Sequence, residues 1–176
     1  MVLDMETEFY KLAKDILSKP KNLYKVVAIG PRSGRVTIMG ADGFMVVGSA
    51  MLRSLSRGPE KKAYKLGRAS GKEMFGNLLK EFDEEIMDLH SKKLLELGLL
   101  LASGTGWGDL EIISVNEKAG EAKVKGKRTM ELKYSKAKHH MLTCGFLSSV
   151  ASLSLRRDLE GRVTSVDKDS VTFTFS

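Results

Sequence analysis

Several residue types are scarce in this chain of 176 residues, and each scarcity excludes something. The single cysteine, Cys144, excludes an internal disulfide and favours a reducing compartment such as the cytoplasm. The longest apolar run, residues 97–102, is far too short to span a bilayer, so we expect no transmembrane segment. Acids at positions 4, 6 and 8 are atypical of a signal peptide. Glutamine is absent and asparagine is rare, which weakly favours a heat-adapted, archaeal or thermophilic source.

The composition is that of one folded domain covering residues 1–176, with 42% hydrophobic residues. The net charge is +7, but the charges are segregated along the chain. Basic residues concentrate in 53–72 and in 117–138, and acidic residues in 81–88. Neither basic stretch has a helix-turn-helix signature or aromatic residues at stacking spacing, so we expect no binding to nucleic acid.

Helical patterns and strand patterns are segregated rather than alternating along the chain. Apolar spacing predicts helices over about 5–17, 41–58 with Asp42 as N-cap, 59–82, and from Asp83 to about 102. Strands are predicted over 24–29 and 35–39, and in two or three antiparallel segments between 104 and 134. Residues 139–155 return to helix, and 161–175 form a closing β-hairpin. This order predicts an α+β fold, with helices packed on one face of an antiparallel sheet.

The segment "HHMLTCGFLSS", residues 139–149, contains the cysteine and two of the three histidines. His140 and Cys144 are four residues apart and share a helix face, which raises the question of a metal or nucleophile site. A structural zinc ion needs four ligands, and the third histidine, His90, lies on a different predicted helix. The interpretation we favour is the start of a buried helix lined by small residues, with no metal and no catalytic residue. A partner chain completing a site at His139, His140 and Cys144 remains open.

Two glycine motifs have structural interpretations of their own. In "GTGWGD" a helix precedes and a strand follows, the reverse of a dinucleotide-binding turn, so we interpret the glycines as a helix end and a turn around Trp107. In the helix over 59–82, Gly67 and Gly71 share a face, and interior helical glycines cost about 1 kcal/mol each relative to alanine. Such a cost indicates close approach of another helix, a second subunit or a ligand.

In order along the chain, "Y-x-x-G-x-x-x-G" from Tyr64 to Gly71, "G-x-G-W-G", "C-G-F-L" and a terminal hairpin resemble the vinyl-4-reductase or hydrocarbon-binding domain. That family shares its fold with subunits of the TRAPP vesicle-tethering complex. The resemblance covers residues 35–176 and says nothing about residues 1–34, which are predicted to be a helix–strand extension. Many family members carry cysteines in the terminal hairpin, whereas this chain has none there, so no metal or redox role is carried over.

The resemblance implies an often dimeric domain with an apolar pocket. We expect that pocket to be lined by eight residues: Met51, Gly71, Met74, Phe75, Leu78, Trp107, Met141 and Phe146. The function expected is non-enzymatic binding of a small apolar or lipid-like molecule, as sensor or carrier, without a cofactor. Two alternatives stay open: an enzyme of tetrapyrrole-related metabolism, and a structural adaptor that receives a protein or acyl chain. The glycine face and the segregated charges also predict a homodimer.

Overall fold

Two antiparallel sheets and three long helices make up the part of the chain that the computed structural model describes, residues 27–30, 35–38, 41–44, 54–55, 57–81, 89–135 and 139–176. The first sheet contains β1 (Val27–Gly30), β2 (Arg35–Ile38) and β3 (Ala41–Phe44), in that order. A register shift between Val36 and Ile38 interrupts the pairing of β2 with β3.

The helices are α1 (Glu60–Glu81), α2 (Ser91–Gly104) and α3 (Met141–Leu155). Pro59 precedes α1, and its carbonyl oxygen accepts hydrogen bonds from the N–H groups of Lys62 and Ala63. No helix of the described residues combines the length and the apolar content needed to cross a membrane.

The second sheet contains β4 (Asp109–Asn116), β5 (Glu121–Lys127), β6 (Gly161–Val166) and β7 (Ser170–Phe175), in the order β4-β5-β7-β6. All neighbouring strands are antiparallel. Val171, Phe173 and Phe175 of β7 are fully buried, as their alternation predicts. The α+β architecture, the helices on the sheet and the C-terminal hairpin are therefore confirmed.

The closest helix packing joins α1 to α3 through three glycines, which we call the glycine seam. A Cβ atom at Gly67 would overlap the carbonyl oxygen of Leu142, and one at Gly71 would overlap that of Phe146. In return, a Cβ atom at Gly145 would overlap the carbonyl oxygen of Tyr64. Both small-residue faces seen in the sequence are thus used against each other within one chain, so the glycine seam is not available to a second subunit.

Tyr64 ties this seam to the second sheet. Its hydroxyl donates to Ser148 Oγ at 3.0 Å and accepts from the N–H of Gly161 at 2.8 Å. Ser148 Oγ donates in turn to the carbonyl oxygen of Leu159 at 2.7 Å. One tyrosine therefore fixes α1, α3 and the start of β6 relative to one another.

Three sequence predictions of secondary structure are corrected. Residues 41–44 are the strand β3 rather than the start of a helix capped by Asp42, because they pair with β2. The helix predicted from Asp83 to about 102 corresponds to α2, which begins at Ser91 with His90 in the N-cap position. The predicted cap, Asp83, lies outside the described residues. Residues Glu131–Ser135 form a π-helical turn instead of a third strand.

Candidate functional site

His139 is held by the backbone through both ring nitrogens. Its Nδ1 accepts a hydrogen bond from the N–H of Met141 at 3.2 Å, and its Nε2 lies 3.0 Å from the carbonyl oxygen of Gly58. Because Nδ1 accepts and a carbonyl only accepts, the ring proton belongs on Nε2. His139 therefore links the segment before α1 to the start of α3.

His140 occupies the N-cap of α3 in a left-handed backbone conformation, with φ of 53°. Its side chain is only 3% exposed, and among the described residues Nδ1 has no hydrogen-bond partner. Burial lowers the pKa of His140, and the neighbouring His139 lowers it further. The ring is thus a neutral, buried polar group with hydrogen-bonding capacity to spare.

Cys144 is fully buried one turn into α3, where its Sγ faces the backbone of Gly161. Burial raises the pKa of the Cys144 thiol to about 12, and the negative charge of Glu131 contributes to the rise. A thiol that stays protonated at neutral pH is neither a nucleophile nor a ready metal ligand. The described residues contain no group of three or more histidine, cysteine or acidic side chains with the spacing of a metal site.

Glu131 is a site residue that the sequence did not reveal. It lies in the π-helical turn, is 1% exposed, and accepts hydrogen bonds from the N–H groups of Leu142 and Thr143 at 3.2 and 2.8 Å. Burial raises the pKa of this carboxyl, although the hydrogen bonds donated by Thr143 and Leu142 and the nearby His139 oppose the rise. Its two hydrogen-bond partners lie 11 and 12 residues further along the chain, so no local sequence pattern indicates that Glu131 caps α3.

An apolar cluster lies beside these polar groups, which we call the Trp107 cluster. Its buried members are Ala63, Met130 and Leu142, and its half-buried members are Leu55, Trp107 and Met141. Trp107 and Met141 also pack against the main core, so the two apolar regions meet at these side chains. The indole ring of Trp107 is stacked on Phe146, with ring centroids 3.8 Å apart and an interplanar angle of 17°.

The turn after α2 sets the position of Trp107. Gly106 and Gly108 flank it with φ of 96° and 124°, values that side chains rarely adopt. A Cβ atom at Gly108 would also stand 2.7 Å from the Cα of Thr129, so the backbone passes close to the π-helical turn. The turn interpretation of the "G-x-G-W-G" motif is confirmed.

The eight expected lining residues are distributed over several places. The structure brings Trp107, Met141 and Phe146 together, and Gly71 abuts the backbone of Phe146. Met74 and Phe75 are buried in the main core, where Phe75 lies against Gly98 of α2. Met51 and the side chain of Leu78 lie outside the described residues.

Two grooves open on the surface of the described residues, away from the Trp107 cluster. One, of about 400 Å³, runs between α2 and β4 past Leu100 and Ile112. The other, of about 1080 Å³, runs between the C-terminal halves of α1 and α3.

No protein-family model matches the sequence, and no curated protein sequence matches it. Among solved structures the chain is similar to the crystal structure of the phenol-responsive sensory domain of the transcription activator PoxR with phenol. The TM-score is 0.70 and the sequence identity 14%, over 92% of this chain and 89% of that one. At this identity the likeness establishes a shared fold.

Proposed function

We propose that this chain binds a small apolar molecule at the Trp107 cluster and acts as a sensor or carrier. The observation that carries the proposal is the half-buried Trp107, stacked on Phe146 where two apolar regions meet. Binding sites for small molecules are mostly apolar, with a few polar groups that fix the ligand's orientation. The buried Nδ1 of His140, one residue before Met141, offers such a polar group.

The two methionines of the cluster suit an apolar ligand. Met130 and Met141 have flexible, polarisable side chains that adapt to irregular apolar partners. The fold shared with a phenol-responsive sensory domain supports the same function, as does the resemblance to the hydrocarbon-binding domain.

A cytoplasmic setting fits the single, buried thiol of Cys144.

Mass spectrometry of organic extracts from the purified protein tests this function directly. We expect a co-purifying aromatic, acyl or pigment molecule, or, for empty protein, quenching of Trp107 fluorescence when phenol or palmitate is added. Met141→Ala should weaken that binding by about tenfold, the effect of removing roughly 1.4 kcal/mol of contacts. Leu153→Ala, which also shortens a half-buried side chain of α3 but lies at its other end, is the matched control. Empty extracts together with unchanged Trp107 fluorescence would contradict the proposal.

We also propose that the chain forms a homodimer. The resemblance and the segregated charges support it, but the glycine seam is occupied within the chain, so another face must make the contact. Light scattering at micromolar concentration tests the dimer, and a mass near 19.4 kDa would contradict it.

A further inference from the structure

The groove between the C-terminal halves of α1 and α3 is strongly basic. Its positive side chains are Arg68, Lys72, Lys80, Arg156 and Arg157. Among its described lining residues only Glu73 and Asp158 are negative, and Asp158 is already paired with Arg68. We call this surface the basic groove.

Both walls of the basic groove offer positive charge to a partner. On α1, Lys72 and Lys80 are exposed and have no ion-pair partner among the described residues. After the end of α3, the guanidinium of Arg157 donates a hydrogen bond to the carbonyl oxygen of Lys118, a neutral group that does not compensate its charge. An anionic partner in the groove would therefore meet positive side chains on two sides.

Apolar groups lie in the basic groove together with these charges. They belong to Ala69 and Leu79 of α1 and to Leu153 of α3. Leu66, one turn before Ala69, is 39% exposed and continues the apolar strip along α1. An apolar strip with positive side chains on both sides is complementary to an amphipathic helix whose apolar face is flanked by acids.

Gly76 leaves unfilled space in the basic groove. Gly67 and Gly71, on the same helix, are explained by the backbone of α3 lying against them. At Gly76 α1 has separated from α3, since a Cβ atom built there would meet nothing within 4 Å. A glycine inside a helix weakens it, and no packing among the described residues offsets that loss. The absent side chain leaves room for the close approach of another molecule.

We propose that the basic groove binds an acidic amphipathic helix of a partner protein. The apolar face of that helix packs on Ala69 and Leu153, and its acids pair with Lys72 and Lys80. From Arg68 to Lys80 α1 extends about 18 Å, which accommodates about three turns of a second helix. The basic groove is separate from the Trp107 cluster, so the proposal does not rest on the ligand proposed there.

The composition of the basic groove favours this occupant over three others. Surfaces for single-stranded nucleic acid combine positive charge with aromatic side chains that stack on bases, and the described lining residues include no aromatic side chain. A bilayer surface would meet the exposed lysines but would leave the apolar groups between the helices uncovered. A second copy of α1 would bring Lys72 and Lys80 against like charges.

Fluorescence anisotropy with the full chain tests the proposal. The probe is a labelled peptide of about 14 residues, with leucine at every third or fourth position and glutamate beside the leucines; a matched peptide has glutamine in place of each glutamate. We expect the glutamate peptide to bind, and the glutamine peptide to bind at least about tenfold more weakly.

Two variants locate the binding in the basic groove. Lys72→Glu should weaken binding of the glutamate peptide by about tenfold, because it reverses a charge of the groove. Lys123→Glu makes the same change at an exposed position of β5 and should have no effect. Gly76→Leu should weaken binding by about tenfold through shape alone, with the circular dichroism of the wild type, since no atom of the chain lies near the new Cβ.

Three results would overturn the proposal. The first is no binding of the glutamate peptide at concentrations up to about 1 mM. The second is an equal loss in Lys72→Glu and Lys123→Glu, which would mean attraction to overall charge. The third is that phosphatidylglycerol vesicles or a single-stranded oligonucleotide bind the wild type and Lys123→Glu but not Lys72→Glu, while the peptide binds none of them.

Discussion

At the scale of single residues, the chemistry of this chain is governed by burial. The side chain of Cys144, in α3, is fully buried, and burial raises the pKa of its thiol to about 12. We expect no reaction with a thiol reagent at pH 8 in the native state, and stoichiometric reaction once guanidinium unfolds the chain. The measurement is the rate of labelling by mass spectrometry, and complete native labelling within the time taken by a free thiol would contradict it.

Two opposing effects act on the pKa of Glu131. Two α3 N–H groups favour its ionised form, whereas burial favours its protonated form and raises its pKa above the ordinary value of 4.5. Because the folded state then holds the proton more tightly than the unfolded chain, stability is lost as the pH rises above 4.5.

The free energy of unfolding of the wild type should therefore fall, relative to that of Glu131→Gln, as the pH rises from 4.5 toward neutrality. Urea titrations of both proteins at a series of pH values measure this difference. His140 has the opposite dependence, because its lowered pKa removes stability as the pH falls below 6.5. It is present in both proteins, so it cancels in the comparison. A difference that rises with pH would show that the capping hydrogen bonds outweigh burial, and a constant difference would show that the two effects cancel.

At the scale of helices and strands, two glycines of α1 give a matched pair. Gly67→Ala should destabilise the fold by about 3 kcal/mol or more, because its Cβ overlaps the Leu142 carbonyl and overpacking alone costs 1–3 kcal/mol. Gly76→Ala should stabilise the fold by up to about 1 kcal/mol, the helix propensity gain in open space. Thermal unfolding at low protein concentration, where self-association does not contribute, measures both. Equal effects of the two changes would contradict the packing described here.

Tyr64 is expected to hold three elements together through one hydroxyl. Tyr64→Phe keeps the ring but leaves the N–H of Gly161 and Ser148 Oγ without this partner, at a cost of about 1–3 kcal/mol. Hydrogen exchange should become faster at Gly161 and the start of β6, and remain unchanged in the β4–β5 hairpin. Faster exchange throughout the second sheet would mean that the hydroxyl acts on global stability alone.

Secondary structure was predicted well from the sequence where one face of a segment has a regular apolar period. It was predicted wrongly where contacts with residues distant in sequence determine the conformation. The terminal hairpin has such a period and was predicted within a few residues. Helix α3 was predicted equally well, although it is buried on almost every side and has no single apolar face. Residues 41–44 join an apolar run that suits a helix equally well, and only their pairing with β2 selects the strand. The alternation around Glu131 suggested a strand, yet this segment turns so that a carboxylate reaches the start of α3.

Less of the candidate site than of the fold could be predicted from the sequence. The "G-x-G-W-G" motif identified the turn that positions Trp107. The structure brings Met141 and Phe146 close to Trp107, and their role in lining a pocket stays a prediction. Met130 joins this region only through the tertiary fold, which packs it with Ala63 and Leu142. Gly71 was expected to line a pocket, but the backbone of Phe146 occupies the space beside it.

At the scale of the whole molecule, the lone tryptophan should report on the main core. Trp107 stacks on Phe146 of α3, and α3 packs on α1, on α2 and on the second sheet. We expect unfolding in urea followed by Trp107 fluorescence to coincide with the transition followed by far-ultraviolet circular dichroism. Separate midpoints would mean that the Trp107 cluster opens before the sheet and helices, as expected of a region that admits ligands.

The strand order β4-β5-β7-β6 has a consequence for how the chain is made. β7 lies between β5 and β6, so during synthesis the second sheet stops at a two-stranded hairpin until residues 170–175 leave the ribosome. Until then Val124 of β5 and the face of α3 that will cover Phe173 and Phe175 have no sheet to pack against. From the synthesis of β5 until β7 is in place, the nascent protein therefore carries an exposed apolar surface, which favours aggregation during that interval.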